Sequence, residues 1–164
     1  MIKILGFSPA LLLAASALFP LTAVAGGHLP GEAGAHEHQD HGSMQAATAA
    51  ADAKVYFIEP ANGQQISGGE VKVVFGIEGM RVAPAGTDTP NSGHHHLLID
   101  LEQMPDMTMP LPASENVRHF GKGQTETILT LAPGTHRLQL LLGNYAHIPH
   151  NPPVLSEVIE ITVK

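Results

Sequence analysis

Gly93-His94-His95-His96-Leu97-Leu98-Ile99-Asp100 places three adjacent histidines at the head of an apolar run. Side chains in an extended strand alternate between faces, so His94, His96, Leu98 and Asp100 point one way while His95, Leu97, Ile99 and Leu101 point the other. One face then reads as core and the other as a site. Alternate strand residues lie about 6.6–7 Å apart along the chain, near enough for both imidazoles to lean onto a single ion. The plainer alternative is a strand end at the surface whose histidines only meet water.

The flanking sequence has the same strand character. Val55-Tyr56-Phe57-Ile58 is a first strand, closed by the turn residues Pro60 and Asn62-Gly63. A short piece at 64–67 leads to a strand in which Val71, Val73, Phe75 and Ile77 alternate inward. Residues 80–92 form a loop that delivers the chain to the histidine strand. Beyond Glu102, prolines at 105, 110 and 112 forbid a helix or an interior strand. Further strands are expected at 117–120, 125–131, 135–142 and 155–163, the last alternating Leu155, Glu157, Ile159, Ile161 and Val163 against Ser156, Val158, Glu160 and Thr162. About seven short strands with turns between them and no amphipathic helix predict an all-β, immunoglobulin-like β-sandwich over 54–164. A cupredoxin-like Greek key is the neighbouring alternative.

Ahead of that domain the sequence predicts two segments of another kind. Residues 1–25 read as a secretory signal peptide: a basic start through Lys3, an apolar stretch and the A-x-A ending Ala23-Val24-Ala25. Export to the periplasm or beyond is expected, with no membrane anchor left after cleavage. Residues 26–53 are rich in histidine, alanine and glycine without strand alternation and read as a flexible tether. Cleavage after Ala25 would leave Gly26-Gly27-His28 at the amino terminus. There the α-amine, two backbone amides and the His28 imidazole can enclose a square-planar Cu(II) or Ni(II).

The chain has 164 residues, no cysteine and no tryptophan, and a formal net charge of −7 with histidines neutral. The core alone must therefore hold the exported domain together, without disulfides. The acidic balance argues against nucleic acid or anionic lipid as a partner and favours cations. Eleven histidines are the outlying count: four follow the signal and seven lie in the domain.

Three domain groups are candidates for a shared site: His94 with His96, His119 before its glycine turn, and His147 with His150 in a proline-stiffened loop. Imidazole donors suit copper, zinc or nickel. Each residue also has a structural reading. His95 and His136 are expected to be satisfied buried histidines rather than ligands, and His119 equally a partner for a loop carbonyl. Met104, Met107 and Met109 offer thioethers to Cu(I), or merely fill gaps. Asp100 is expected to orient His94 or His96 as an outer acceptor, or to end the strand in water. No serine sits in a strand-turn-helix elbow and no general base is evident, so an enzyme is not expected.

Four motifs taken in order, Gly93 to Asp100, His119-Phe120-Gly121-Lys122-Gly123-Gln124-Thr125-Glu126, Pro133 to Leu140 and His147-Ile148-Pro149-His150-Asn151-Pro152-Pro153-Val154, resemble the secreted bacterial family called domain of unknown function 4399. The resemblance implies an exported, periplasmic β domain and carries no function. Histidines 94, 95, 96, 119, 136, 147 and 150 match its motif positions, while Asn144 departs from the aspartate usual after the glycine. The expectation is a periplasmic metal-binding sandwich that handles copper as carrier, buffer or chaperone, with ligands drawn from His94, His96, His119, His147, His150 and His28. The rival is a non-enzymatic envelope module whose histidine rim contacts another protein or the cell wall.

Overall fold

A computed structural model describes residues 45–164. The expected signal peptide, His28 and most of the expected tether lie outside the described residues. Nine strands follow in order: β1 (Lys54–Glu59), β2 (Gln65–Ile66), β3 (Glu70–Glu78), β4 (Arg81–Val82), β5 (Ser92–Ile99), β6 (Val117–His119), β7 (Glu126–Thr130), β8 (Gly134–Gly143) and β9 (Ile159–Val163). No helix occurs among the described residues. The strands form a three-stranded sheet, β1-β3-β7, and a six-stranded sheet, β2-β9-β8-β5-β4 with β6 paired to β5. The result is a β-sandwich. Its count exceeds seven because β2, β4 and β6 are pieces of two or three residues.

The alternation in the sequence explains which faces meet. Antiparallel pairing sets Leu97 opposite Leu140 and Ile99 opposite Leu138 in one sheet. In the other it sets Val71 opposite Leu129 and Phe57 opposite Phe75. With Val73, Leu142, Ile159, Ile161 and Val163, these residues form one buried cluster between the sheets, with the half-buried Phe57 packed against it. Burial of this apolar area is the main favourable term holding the fold, at about 25 cal/mol per Å².

Two departures from the expected layout have simple causes. The last strand begins at Ile159 rather than 155, because Leu155 reaches β8 only through a single bridge to Leu141, and Pro152 and Pro153 just upstream carry no N–H for a ladder. At the other end, the final residues of the expected tether lie against the sandwich. Ala49 N–H donates to the Asn151 carbonyl at 3.3 Å and Asn151 N–H to that of Ala47 at 2.8 Å. Ala49, Ala50 and Ala53 pack on the main core. Small side chains without an apolar stripe can still lie flat on a sandwich edge.

A second, smaller apolar cluster covers the outer face of the six-stranded sheet. Leu98, Val117 and Leu141 stand on that face and are capped by Leu111, with Met107 and Leu155 at its margin. The proline-bearing loop that follows β5 thus folds back over β5 itself. It covers the part of the outer face that carries Leu98 and Leu141, while His94 and His96 are buried further along β5.

Candidate metal centre

Strand pairing brings the histidines together. In the antiparallel register His96 lies opposite His119 of β6 on one side. On the other it lies opposite Leu141 of β8, and His94 lies opposite Gly143. Paired residues share a face, so His94, His96 and His119 project from the same side of the sheet. The fourth ring comes from the turn after β8. Asn144 N–H donates to the Ile148 carbonyl at 2.8 Å and His147 N–H to that of Asn144 at 2.9 Å. The Asn144 carboxamide oxygen accepts from Ala146 N–H at 2.9 Å and Ile148 N–H at 3.0 Å. This turn places His147 at φ 66°, in the left-handed region, and the Leu111 N–H holds its carbonyl at 3.0 Å.

His94, His96, His119 and His147 each offer one nitrogen, and those four atoms lie within 4.8 Å of one another. His94 Nε2 and His147 Nδ1 stand 3.2 Å apart, within hydrogen-bonding distance. Four nitrogens about 2.0–2.1 Å from a tetrahedral ion stand about 3.3 Å apart. A square-planar arrangement at a similar bond length asks for about 2.9 Å between neighbours and about 4 Å across. Small side-chain movements thus bring the group to either geometry, and it could hold a metal ion.

Burial keeps the donors neutral. His94 is held down at about 4, chiefly because its charged form is desolvated and then because His119 and His147 stand beside it. His96 is held down at about 3, again by burial first and by the neighbouring imidazoles next. His119 is lowered by the same two causes, more weakly. Their lone pairs are available at neutral pH, as ligation of a cation requires. Neither ring nitrogen of His96 has a protein partner, nor does Nδ1 of His94. Buried ring nitrogens of this kind are normally satisfied, so unpaired ones on two rings of the group are what a binding site would leave.

Two glycines make room for the rings. A Cβ at Gly143 would stand 2.7 Å from Cε1 of His96, and one at Gly121 would collide with the imidazole of His119.

The remaining histidines stand elsewhere. His150, expected as a ligand, is outside the group of four: its ring is buried between the carbonyls of Ser92, 3.2 Å from Nε2, and Leu142, 3.4 Å from Nδ1. His28 lies outside the described residues. His95 faces the core as expected, with its ring centroid 5.2 Å from that of Phe75, but it is not satisfied there, since neither ring nitrogen has a partner. His136 is satisfied, by the Asp100 carboxylate at 2.7 Å and the Ala132 carbonyl at 2.9 Å. Asp100 therefore does not orient His94 or His96. It also accepts Arg137 N–H at 2.7 Å and stands about 13 Å along the strand from His96, beyond reach. Of the methionines, Met107 packs on the smaller apolar cluster, while Met104 and Met109 are exposed. The least legible member of the group was His119, because only the β5–β6 register discloses that it stands beside His96.

A family model described as Domain of unknown function (DUF4399) matches residues 73–164, which include all four histidines of the group. The chain belongs to this family. No curated protein matches the sequence. Among solved structures, an endo-beta-1,4-mannanase from Thermotoga petrophila matches at 16% identity and a TM-score of 0.41, over 69% of this chain and 20% of that one. An engineered protein matches at 12% identity and a TM-score of 0.40, over 71% of this chain and 21% of that one. This chain thus spans about a fifth of either.

In this chain Asn144 serves as the turn's organiser. Its side-chain oxygen does what an aspartate there would do, and its amide adds a bond to the Gln45 carbonyl at 3.1 Å.

Proposed function

We propose that this DUF4399 protein is an exported metal-binding protein that holds one transition-metal ion on His94, His96, His119 and His147, and that it handles copper in the periplasm as a carrier, buffer or chaperone. The observation that carries the proposal is the convergence of four imidazoles, three of whose buried ring nitrogens lack any protein partner. Copper is favoured over zinc and nickel because nitrogen sites bind Cu(II) most tightly among the divalent first-row ions. The absence of cysteine leaves no thiolate to compete. Export rests on the apolar, A-x-A-terminated start of the sequence. A carrier is preferred to a hydrolase because the fourth imidazole takes the coordination position that a catalytic site keeps for water.

The test is titration of the metal-free mature protein, with His28, His36, His38 and His41 replaced by alanine so that the amino-terminal donors do not compete, with Cu(II), Cu(I), Zn(II) and Ni(II), beside His94→Ala/His96→Ala in the same background. Stoichiometric binding at micromolar concentration or tighter, lost in the double variant, is expected. Weak binding that the double variant leaves unchanged would favour an envelope module whose histidines contact another protein. Intact mass of the secreted product is expected to place Gly26 first, which the separate Gly26-Gly27-His28 site requires.

A further inference from the structure

The four imidazoles are not held alike. His94 and His96 belong to β5, which pairs with β8 at every residue from His94 to Ile99, and their rings are 0% and 1% exposed. His147 is fixed by the Asn144 turn and by the Leu111 N–H on its carbonyl. His119 is different. It ends a strand of three residues that pairs only with β5, and it is exposed where His94 and His96 are buried; beyond Phe120, whose N–H still donates to the His95 carbonyl at 3.1 Å, the chain turns away through Gly121-Lys122-Gly123, with Gly123 at φ 79°. It also borders a groove of about 360 Å³ shared with Arg118, Gln124, Thr127 and Thr130. An imidazole that leaves the ion from this position belongs to no apolar cluster of the core, whereas His94 and His96 are buried on a strand paired along both edges.

We infer that His119 is the exchangeable ligand of the site: it detaches as the ion enters or leaves, and a nitrogen donor supplied from outside takes its position while His94, His96 and His147 keep hold. This rests on the metal reading above and adds the direction of transfer. The ion is handed over at the β6 edge by stepwise substitution of one neutral donor for another, with no change of charge or oxidation state.

The test uses the full mature chain with His28, His36, His38 and His41 replaced by alanine, so that no histidine ahead of the sandwich competes, and Co(II) as the probe for its visible ligand-field bands. In that background, His119→Ala is expected to keep one Co(II) with altered bands and about a tenfold weaker affinity, and to release it to a chelator at least about tenfold faster. Millimolar imidazole is expected to restore the parent's bands. His94→Ala is expected to weaken binding by about a hundredfold or more, without rescue by imidazole. An affinity loss in His119→Ala as large as that in His94→Ala, an unchanged release rate, or bands indifferent to imidazole would overturn the assignment while leaving the metal site standing. A parent chain that binds no Co(II), Cu(II) or Zn(II) would overturn the metal reading and this one with it. Circular dichroism of each variant separates lost ligation from lost folding.

Discussion

His95 offers a test in which the fold gains stability by losing a histidine. Its ring is 0% exposed, lies against Phe75, and has no partner at either nitrogen. A buried polar group left unpaired costs about 1–3 kcal/mol. His95→Leu fills a similar volume with apolar atoms and removes two such groups, so a gain of about 2–3 kcal/mol is expected at pH 7.5. Acidification should enlarge the difference. Burial lowers His95 from 6.5 to about 4, so between those values the unfolded chain binds a proton that the folded chain refuses. Stability therefore falls as pH drops through this window. From pH 7.5 to pH 5 the loss attributable to His95 is about 2 kcal/mol, and the leucine variant escapes it. Urea unfolding of the metal-free proteins at both pH values measures this directly. Thermal midpoints should rise by about 4 °C for each kcal/mol. Since the ring points away from the outer face, metal stoichiometry is expected to be unchanged. A leucine variant less stable than the parent at pH 7.5, or one with the parent's full acid sensitivity, would refute the account of His95 as an unpaid polar burial.

Three further outcomes are expected. Gly143→Ala brings a Cβ to 2.7 Å from a carbon of the buried His96 ring; displacement of that ring should weaken metal affinity more than about tenfold, read by competition with a chromophoric chelator. Asn144→Ala removes two accepted bonds and one donated bond and should cost about 2–3 kcal/mol in urea unfolding together with metal affinity, whereas Asn144→Asp keeps both accepted bonds and should cost about 1 kcal/mol. Asp100→Asn should remove the carboxylate whose hydrogen bond and charge, against the opposing effect of burial, raise His136. The contribution of that pair is fully present below the unfolded pKa and disappears as pH rises through the raised folded value, so parent and variant should differ by at most about 1 kcal/mol near pH 6 and converge at alkaline pH in the same unfolding measurement.

Alternation exposed the parts of this molecule that depend on a period of two. Residues 93–100 read as a strand with one core face, and β8 and β9 follow the same rule, so the sandwich and the shared face of His94 and His96 were visible in the bare sequence. The choice between His147 and His150 was not. Both lie in one proline-stiffened loop, and what separates them is the left-handed backbone at His147, set by the Asn144 turn, and the pair of carbonyls that encloses His150. His119 was ambiguous because a strand of three residues carries too little periodicity to announce its partner. Of the two readings of Asp100, the one that oriented a ligand fails on a length: at about 3.3 Å per residue, four residues carry it too far from His96.

One consequence of the histidine strand concerns how errors in the fold would show themselves. Sliding β5 by a single position against β8 would exchange the two sides of the ribbon, lodging two imidazoles among the leucines and presenting only one to the exterior. Such a molecule would keep its extended chain and much of its secondary structure, yet have one strand ligand where the native form has two. Capture of an ion would then distinguish the native register from its near misses and draw the population toward it, making the cargo an inspector of the vessel that carries it.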